Sequence, residues 1–294
     1  FKSLSEVEAR EQQVSIAEEA GRGLAQYGDF TASVDVSQLV SPLPGYRETD
    51  VYFDQFQSVL KGSRDLAEAQ PFLPKVPTLR QSTQRHFYLH LDDKEFQRRI
   101  GDPELQHFIQ LVEREREFGM TLVDSRRSGR IRTVAIHGDT KLDNFLFSTR
   151  SGQAKALVDL DTIMPNTWLA DWGDMSRSLT NVAGEKERDL ARVQVDMEIY
   201  EALVRGFLLT AEEVTKDEVA LMVASVELIT LELGVRFLAD YLRGDSYFVL
   251  GPTDAPDLNK VRAMAQLTLF ERLRDRAGDA QACVDRYLAE RRVQ

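Results

Sequence analysis

A polar loop between two short apolar runs constrains this chain more than any other part of its sequence. The loop, residues 137–144, reads His-Gly-Asp-Thr-Lys-Leu-Asp-Asn, and the apolar runs 133–136 and 145–147 flank it. Apolar runs of this length predict short buried strands. A further run, 156–158, follows a Ser-Gly turn at 151–152 and predicts a hairpin with 145–147. The sequence therefore predicts a small β-structure that holds a polar loop rigidly.

The polar residues in and after this loop have the spacing that phosphoryl transfer needs. Asp139 is placed to accept the proton of an attacking hydroxyl, and Asn144, five residues later, to ligate a nearby metal ion. Asp159, at the end of the hairpin, would face the same cleft and ligate Mg²⁺ together with nucleotide phosphates. Lys141 would neutralise charge on the transferring group. Asp161 would either join the metal shell through water or hydrogen-bond the backbone of its turn.

Three further runs accompany the loop. They are Val-Asp-Leu-Asp-Thr-Ile-Met-Pro at 158–165, Asp-Trp-Gly-Asp at 171–174 and Gly-Val-Arg-Phe-Leu-Ala-Asp-Tyr at 234–241. Together with the loop they resemble the aminoglycoside phosphotransferase and choline kinase branch of the protein-kinase-like fold, and within it the N-acetylhexosamine kinases. The resemblance implies a kinase that uses ATP and Mg²⁺ to phosphorylate a hydroxyl of a small substrate, a sugar of the N-acetylhexosamine type or an aminoglycoside.

The resemblance also implies a role for each matching residue of the loop region. Asp139 matches the catalytic base, and Asn144 and Asp159 match the metal ligands. His137 is expected to support the loop by packing and hydrogen bonding. Asp174 matches the buried aspartate that braces the loop.

Two residues outside the loop region complete the expected site. Arg236 and Tyr247 fall where the hexosamine kinases place side chains around the sugar. Arg236 lies in a long helical pattern, and Tyr247 lies in the segment that follows it.

The rest of the chain predicts helices. Helical patterns cover 5–27, 102 to 120, 169–179, 185–208, 216–242 and 257–288, the last as one long helix or two abutting helices. Ser5 and Glu8 form a predicted capping box for the first helix. Gly21 and Gly23 lie inside that helix with no preceding strand, which favours helix packing over a phosphate-binding loop.

The predicted fold class is α+β and predominantly helical. Residues 1–294 correspond to the C-terminal catalytic lobe of a kinase-like fold, in which a small β-hairpin carries the catalytic loop and the metal site. No glycine-rich hairpin or strand lysine is recognisable, and the sequence begins at Phe1. An N-terminal nucleotide-binding lobe is therefore expected in cis, outside these residues.

Charge and hydropathy exclude other classes of protein. A formal net charge of −11 argues against general nucleic-acid binding, and the basic cluster at 126–132 is interpreted as a solvated turn. No apolar run is long enough for a membrane helix, and no signal peptide is recognisable. The single cysteine, Cys283, fits a reducing compartment, so a cytoplasmic location is expected.

Two alternative functions remain open from the sequence. A kinase-like lobe that lacks half of its nucleotide site would act as a binding or regulatory module. Alternatively, Asp159 and Asp161 form an Asp-x-Asp pair that would hold a sugar nucleotide through a metal in a glycosyltransferase. The 137–144 loop and the lack of repeated strand-helix units argue against the second alternative.

Overall fold

Most of the protein is helical. The computed structural model describes residues 4–291. The α-helices of this range are α1 (Arg10–Thr31), α2 (Thr49–Leu60), α3 (Pro77–Thr83), α4 (Asp93–Ile100), α5 (Gln106–Arg114), α6 (Arg116–Gly119), α7 (Thr121–Arg127), α8 (Trp168–Thr180), α9 (Met197–Leu208), α10 (Lys216–Val219), α11 (Met222–Arg243), α12 (Leu258–Asp275) and α13 (Ala277–Arg291). The strands are β1 (Val134–Ile136), β2 (Phe145–Phe147), β3 (Ala154–Leu157) and β4 (Met164–Asn166).

The strands form two antiparallel ribbons, and the 137–144 loop connects them. Strand β2 pairs with β3, with Phe145 opposite Leu157, so the predicted hairpin is confirmed. Strand β1 pairs with β4, a pairing that the sequence did not predict. Two-stranded ribbons are marginally stable alone, so helices must cover them. Helix α1 contacts β3, and α8 contacts β1, so both ribbons are supported.

Helices α1 and α9 pack closely through glycines. A Cβ added to Gly21 would collide with the carbonyl oxygen of Leu203, and a Cβ added to Gly206 would collide with that of Glu18. Small residues at such positions let two helix backbones approach each other. Gly21 of the Gly-x-Gly sequence therefore serves helix packing, as predicted, whereas Gly23 lies against Phe145 and Ala154 of the β2–β3 hairpin.

Several predicted helix boundaries were wrong. Helix α1 begins at Arg10, because Gln13 donates hydrogen bonds to the carbonyl oxygens of Leu4 and Val7 and folds the preceding segment back. Helix α9 begins only at Met197, where Asp196 accepts a hydrogen bond from the backbone of Ile199 at 3.1 Å.

Other predicted helices are divided. The predicted helix from 102 towards 120 opens as a short 3₁₀ turn and is then split into α5 and α6, after which α7 begins. The predicted helix 216–242 is split into α10 and α11, and the last segment forms the two abutting helices α12 and α13. Helix α11 ends at Gly244, whose φ of 119° is left-handed, as expected of a glycine stop.

Helix α11 is the centre of the fold. It packs against α2, α8 and α12, and nearly all of its residues are buried. Its first half joins the apolar cluster beneath the β-ribbons, and its second half joins a separate cluster with α2, α5 and α12. Arg236, in that second half, is therefore held on a rigid element. Within residues 4–291, no helix has both the length and the apolar composition needed to cross a lipid bilayer.

Candidate active site

Asp139 lies at the centre of a hydrogen-bonded group in the 137–144 loop. Lys141 Nζ donates to Asp139 Oδ2 at 2.7 Å. The amide nitrogen of Asn144 donates to the carbonyl oxygen of Asp139 at 2.7 Å and to Oδ2 at 3.1 Å. The hydrogen bond to Asp139 raises the pKa of Lys141, against the effect of its partial burial, so this lysine stays protonated. The structure thus brings together three of the predicted site residues.

Asp159 lies at the end of β3, beside the loop. The backbone N–H of Val158 donates to the carbonyl oxygen of Asn144 at 2.9 Å, which joins the hairpin to the loop. Asp159 has a left-handed backbone, with φ of 67°, and an exposed side chain. Asp161 is also exposed, in the turn Leu160–Thr162. Such left-handed residues are uncommon apart from glycine and often occur at functional sites.

The donor atoms present fit Mg²⁺ only in part. Because the side-chain nitrogen of Asn144 is directed at Asp139, its oxygen Oδ1 is left without a hydrogen bond to residues 4–291. That oxygen and the Asp159 carboxylate are the hard ligands that Mg²⁺ prefers. No group of three or more His, Cys, Asp or Glu side chains in the described range is arranged to hold a metal. Phosphate and water oxygens would have to supply the remaining ligands.

Asp171 of α8, and not Asp174, braces the loop. Its carboxylate accepts backbone hydrogen bonds from His137 at 2.7 Å and Gly138 at 2.8 Å. Its carbonyl oxygen accepts one from the hydroxyl of Thr140 at 2.7 Å. Burial raises the pKa of Asp171 to about 6, although the two amide donors oppose the shift. From the sequence, the bracing of the loop was assigned to Asp174, one helical turn further along α8. Both aspartates lie on the same buried face of α8, so the pattern did not distinguish them.

His137 links the loop to the hairpin. Its side chain is fully buried, and its Nε2 lies 2.9 Å from the carbonyl oxygen of Val158. Its Nδ1 accepts the backbone N–H of Asp139 at 3.3 Å. Donation from Nε2 and acceptance at Nδ1 correspond to one neutral tautomer. His137 therefore contacts the backbone of both the loop and the hairpin.

Asp174 belongs to a buried ion-pair network behind the loop. Its carboxylate lies 3.1 Å from Arg47 and 2.7 Å from Arg177. Arg47 also pairs with Glu232 of α11 at 3.1 Å. Burial raises the pKa of Asp174, but the two arginines outweigh it and hold the pKa well below its usual value. The network therefore keeps fully charged groups buried between α8 and α11.

Arg236 and Tyr247 line a cavity, here called the Arg236 pocket. The Arg236 guanidinium lies 4.9 to 5.4 Å from four ring centroids, those of Tyr46, Tyr52, Tyr247 and Phe248. Its Nη2 donates to the Tyr247 hydroxyl at 3.3 Å. The cavity has a volume of about 180 Å³, and the remaining lining residues are Pro42, Leu43, Pro44, Gly45, Gln55, Ser82, Thr83, His86 and Arg243. None of the lining residues is acidic.

Asp139 faces a different and larger cleft, of about 990 Å³, which Lys141 and Arg177 also line. The two cavities share no lining residue. Tyr46 links the pocket to the loop, because it lines the Arg236 pocket and its hydroxyl donates a hydrogen bond to the carbonyl oxygen of Gly138, the residue before Asp139, at 2.9 Å. Sequence reasoning missed Tyr46 because no motif marks it.

The basic cluster at 126–132 is neutralised by neighbours. Arg126 donates to Glu48 at 2.8 Å, Arg127 to Asp50 at 2.7 Å and Arg132 to Glu218 at 2.8 Å. These arginines are held in ion pairs, so the cluster does not offer a free phosphate-binding patch.

Residues 4–212 match the model of the phosphotransferase enzyme family, APH. The match spans well over half of the chain and contains the 137–144 loop, both β-ribbons, Asp159 and Asp171. Arg236 and Tyr247 lie beyond it. Members of this family are phosphotransferases. The chain therefore belongs to the phosphotransferase enzyme family.

Proposed function

We propose that this protein transfers the γ-phosphoryl group of ATP to a hydroxyl of a small, neutral, polyhydroxylated acceptor of the N-acetylhexosamine type. The observation that carries the proposal is the hydrogen bonding of Asp139 to Lys141 and Asn144, one residue after Gly138, whose carbonyl oxygen accepts a hydrogen bond from Tyr46 of the aromatic Arg236 pocket. Membership of the phosphotransferase family supports the class of reaction.

Asp139 is the proposed general base. Lys141 and Asn144 both donate to its Oδ2, and Oδ1 accepts no hydrogen bond from residues 4–291. Oδ1 is therefore the atom that takes the proton from the attacking hydroxyl of the substrate. The acceptor oxygen then bonds to the γ-phosphorus, the bond to the oxygen bridging the β- and γ-phosphorus breaks, and ADP leaves with that electron pair. Lys141 offsets charge on the transferring group.

Asn144 and Asp159 are the proposed ligands of Mg²⁺, with Asp161 placed to reach the metal shell through water. When bound, the ion would neutralise phosphate charge. The chain's own contribution is to fix the two ligands. His137 and the backbone of Asn144 hold the loop against Val158, the residue that precedes Asp159.

The Arg236 pocket favours a neutral acceptor over a cationic one. Its charged lining residues are arginines, and its aromatic rings already surround the Arg236 guanidinium. A quaternary ammonium or an aminoglycoside would meet like charge and no carboxylate. A sugar ring can pack its apolar face on Tyr247 or Phe248 while its hydroxyls accept hydrogen bonds from Arg236. Exposure of 43% leaves Tyr247 accessible to such a ligand.

We further propose that residues 1–294 act as the C-terminal lobe beside an N-terminal lobe in cis, in the cytoplasm. Leu146 on β2 and Leu160 after β3 are 50% and 53% exposed beside the loop. An ATP base and a second lobe would cover such apolar side chains. Without that lobe, the alternative of a binding or regulatory module would apply. The antiparallel ribbons of the described residues give no support to a glycosyltransferase.

The test is ATP consumption by the protein expressed from its full reading frame, with Mg²⁺. The acceptors are N-acetylglucosamine, N-acetylgalactosamine, choline, homoserine and an aminoglycoside. We expect turnover with an N-acetylhexosamine and none with the cationic acceptors. Turnover with choline or the aminoglycoside alone would refute the acceptor assignment. If no acceptor gives turnover and calorimetry detects no binding of Mg-ATP, the kinase proposal fails in favour of the binding module.

A further inference from the structure

The carbonyl oxygen of Gly138 receives two side-chain donors from consecutive residues. The Tyr46 hydroxyl donates to it at 2.9 Å, and Arg47 Nη2 donates to it at 3.4 Å. This carbonyl belongs to the peptide bond that joins Gly138 to Asp139. Burial raises the pKa of Tyr46, so its hydroxyl keeps the proton that it donates. The two donors therefore fix the plane of the peptide from which the proposed base extends.

Gly138 cannot be replaced by a larger residue without moving this peptide. Its φ of 85° is left-handed, and an added Cβ would lie 2.7 Å from the carbonyl oxygen of Thr162. Asp171 fixes the N–H groups of His137 and Gly138, but it does not contact the carbonyl. Within residues 4–291, the carbonyl oxygen of Gly138 thus receives side-chain hydrogen bonds only from Tyr46 and Arg47.

Tyr46 also lines the Arg236 pocket, and Arg47 is hydrogen-bonded to a tyrosine of the pocket wall. The Arg236 guanidinium lies 5.2 Å from the Tyr46 ring centroid and 4.9 Å from that of Tyr52. The backbone N–H of Arg47 donates to the Tyr52 hydroxyl at 3.1 Å. Of the three tyrosines that line the pocket, Tyr46 therefore belongs to the segment that holds Gly138, and Tyr52 is hydrogen-bonded to that segment.

Arg47 is held in an unfavourable backbone conformation. Its φ of 60° is left-handed, although it is not glycine, and its side chain is almost fully buried. Ion pairs with Asp174 and Glu232, both at 3.1 Å, fix the side chain. Strain of this kind persists only where the surroundings determine the conformation, and it concentrates at functional sites.

We propose that Tyr46 and Arg47 are positioning residues that couple the Arg236 pocket to the placement of Asp139. An acceptor in the pocket contacts the Tyr46 ring, whose hydroxyl holds the peptide of the base. This inference rests on the proposed function, since it assumes that Asp139 is the base and that the pocket takes the acceptor. It assigns to residues 46–47 a role in kcat, distinct from the binding role of Arg236 and Tyr247.

The experiment compares Tyr46→Phe with Tyr247→Phe in the full-length protein, with Mg-ATP and N-acetylglucosamine. Both variants keep the ring and lose one hydroxyl. We expect Tyr46→Phe to lower kcat by about 5- to 50-fold, because a small displacement of a catalytic group is costly, while both KM values stay within about twofold. Tyr247→Phe should raise the KM for N-acetylglucosamine with little change in kcat. An unchanged kcat in Tyr46→Phe overturns the proposal.

A second measurement does not depend on turnover. Hydrogen exchange of peptides that cover residues 136–145 should be faster in Tyr46→Phe and unchanged in Tyr247→Phe. If the wild-type protein gives no turnover, the proposed function has failed, and the exchange result alone decides whether Tyr46 holds the loop. Unchanged exchange in Tyr46→Phe would overturn the positioning role in either case.

Discussion

The 137–144 loop and the Arg236 pocket are held in opposite ways. In the loop, backbone groups are fixed by a buried carboxylate, a buried histidine and several hydroxyls. In the pocket, the Arg236 guanidinium is surrounded by aromatic rings and, within residues 4–291, makes one hydrogen bond, to Tyr247. The first arrangement gives a single geometry. The second leaves N–H donors of Arg236 available for a ligand. The loop is therefore suited to catalysis, and the pocket is suited to recognition of the acceptor substrate.

The ion-pair network of Asp174 joins the two regions, and its removal should have the largest effect on stability. Asp174→Ala would leave Arg47 and Arg177 buried with part of their charge unpaired. We expect the free energy of unfolding to fall by about 3–5 kcal/mol, measured by urea denaturation. Asp217→Ala, which removes an exposed partner of Arg130, is the matched control and should cost less than about 1 kcal/mol. Equal effects would show that the network contributes no more to stability than an exposed ion pair does.

The Arg236→Gln variant distinguishes a role in binding the acceptor substrate from a role in the catalytic step. It should lower kcat/KM for N-acetylglucosamine by about 10- to 100-fold, mainly through KM, because hydrogen bonds to a charged group contribute about 1.5–3 kcal/mol. Steady-state kinetics at saturating Mg-ATP measure the effect. Arg98→Gln, on an exposed face of α4, is the control. A fall in kcat with constant KM would place Arg236 in the chemistry of the loop instead.

We expect the stability of the protein to depend on pH through His86, which lines the Arg236 pocket. Burial, Arg243 and Arg85 lower the pKa of His86 to about 3, although Asp240 opposes the shift. As pH falls below 6.5, the His86 imidazole becomes protonated in the unfolded chain but stays neutral in the folded protein. The stability contributed by neutral His86 is therefore present above pH 6.5 and lost progressively towards pH 3. Between pH 7 and 5 this loss is up to about 2 kcal/mol.

His86→Phe keeps an aromatic ring beside Tyr247 and removes the titrating group. In the wild type the ring centroids of His86 and Tyr247 are 5.2 Å apart. Denaturant unfolding at pH 7 and pH 5 should therefore show a smaller loss of stability in His86→Phe than in the wild type. The same loss in both proteins would mean that other groups account for the pH dependence.

Lys141→Gln tests the charge of the loop with a smaller expected effect. Lys141 contacts Asp139 but is partly exposed, so we expect kcat to fall by about tenfold, which corresponds to about 1.4 kcal/mol. The thermal midpoint should stay the same, because exposed ion pairs contribute little to stability. Lys155→Gln, exposed on β3, is the control. Equal kinetics for both variants would remove Lys141 from the proposed mechanism.

The same contrast explains what the sequence could predict. The loop and hairpin are local, since Asp139, Asn144 and Asp159 lie within a short stretch, and a β-turn and apolar runs mark their frame. The Arg236 pocket brings together residues near 46, 86 and 247, which no local pattern connects. Tyr46 and Arg47 could not be singled out, because their roles depend on contacts with α11 and Gly138.

The errors within helices have a similar cause. Asp171 and Asp174 are three residues apart on one buried face, so helical periodicity cannot tell which of them meets the loop. The segment before α9 was predicted as helix from its residue pattern. In the fold, Glu185 instead pairs with Arg177 and Arg262, and Asp196 caps the next helix. Tertiary ion pairs decided these positions over local propensity.

The most direct test of the account is the turnover of Asp139→Asn beside that of Asp143→Asn, with Mg-ATP and the best N-acetylhexosamine. Asparagine can still accept hydrogen bonds from Lys141 and Asn144, so the loop should keep its geometry, and calorimetry should show nearly unchanged binding of Mg-ATP. We predict that kcat falls by about 10²- to 10⁴-fold in Asp139→Asn, while the exposed neighbour Asp143→Asn stays near the wild type. Wild-type turnover by Asp139→Asn would contradict the assignment of the base.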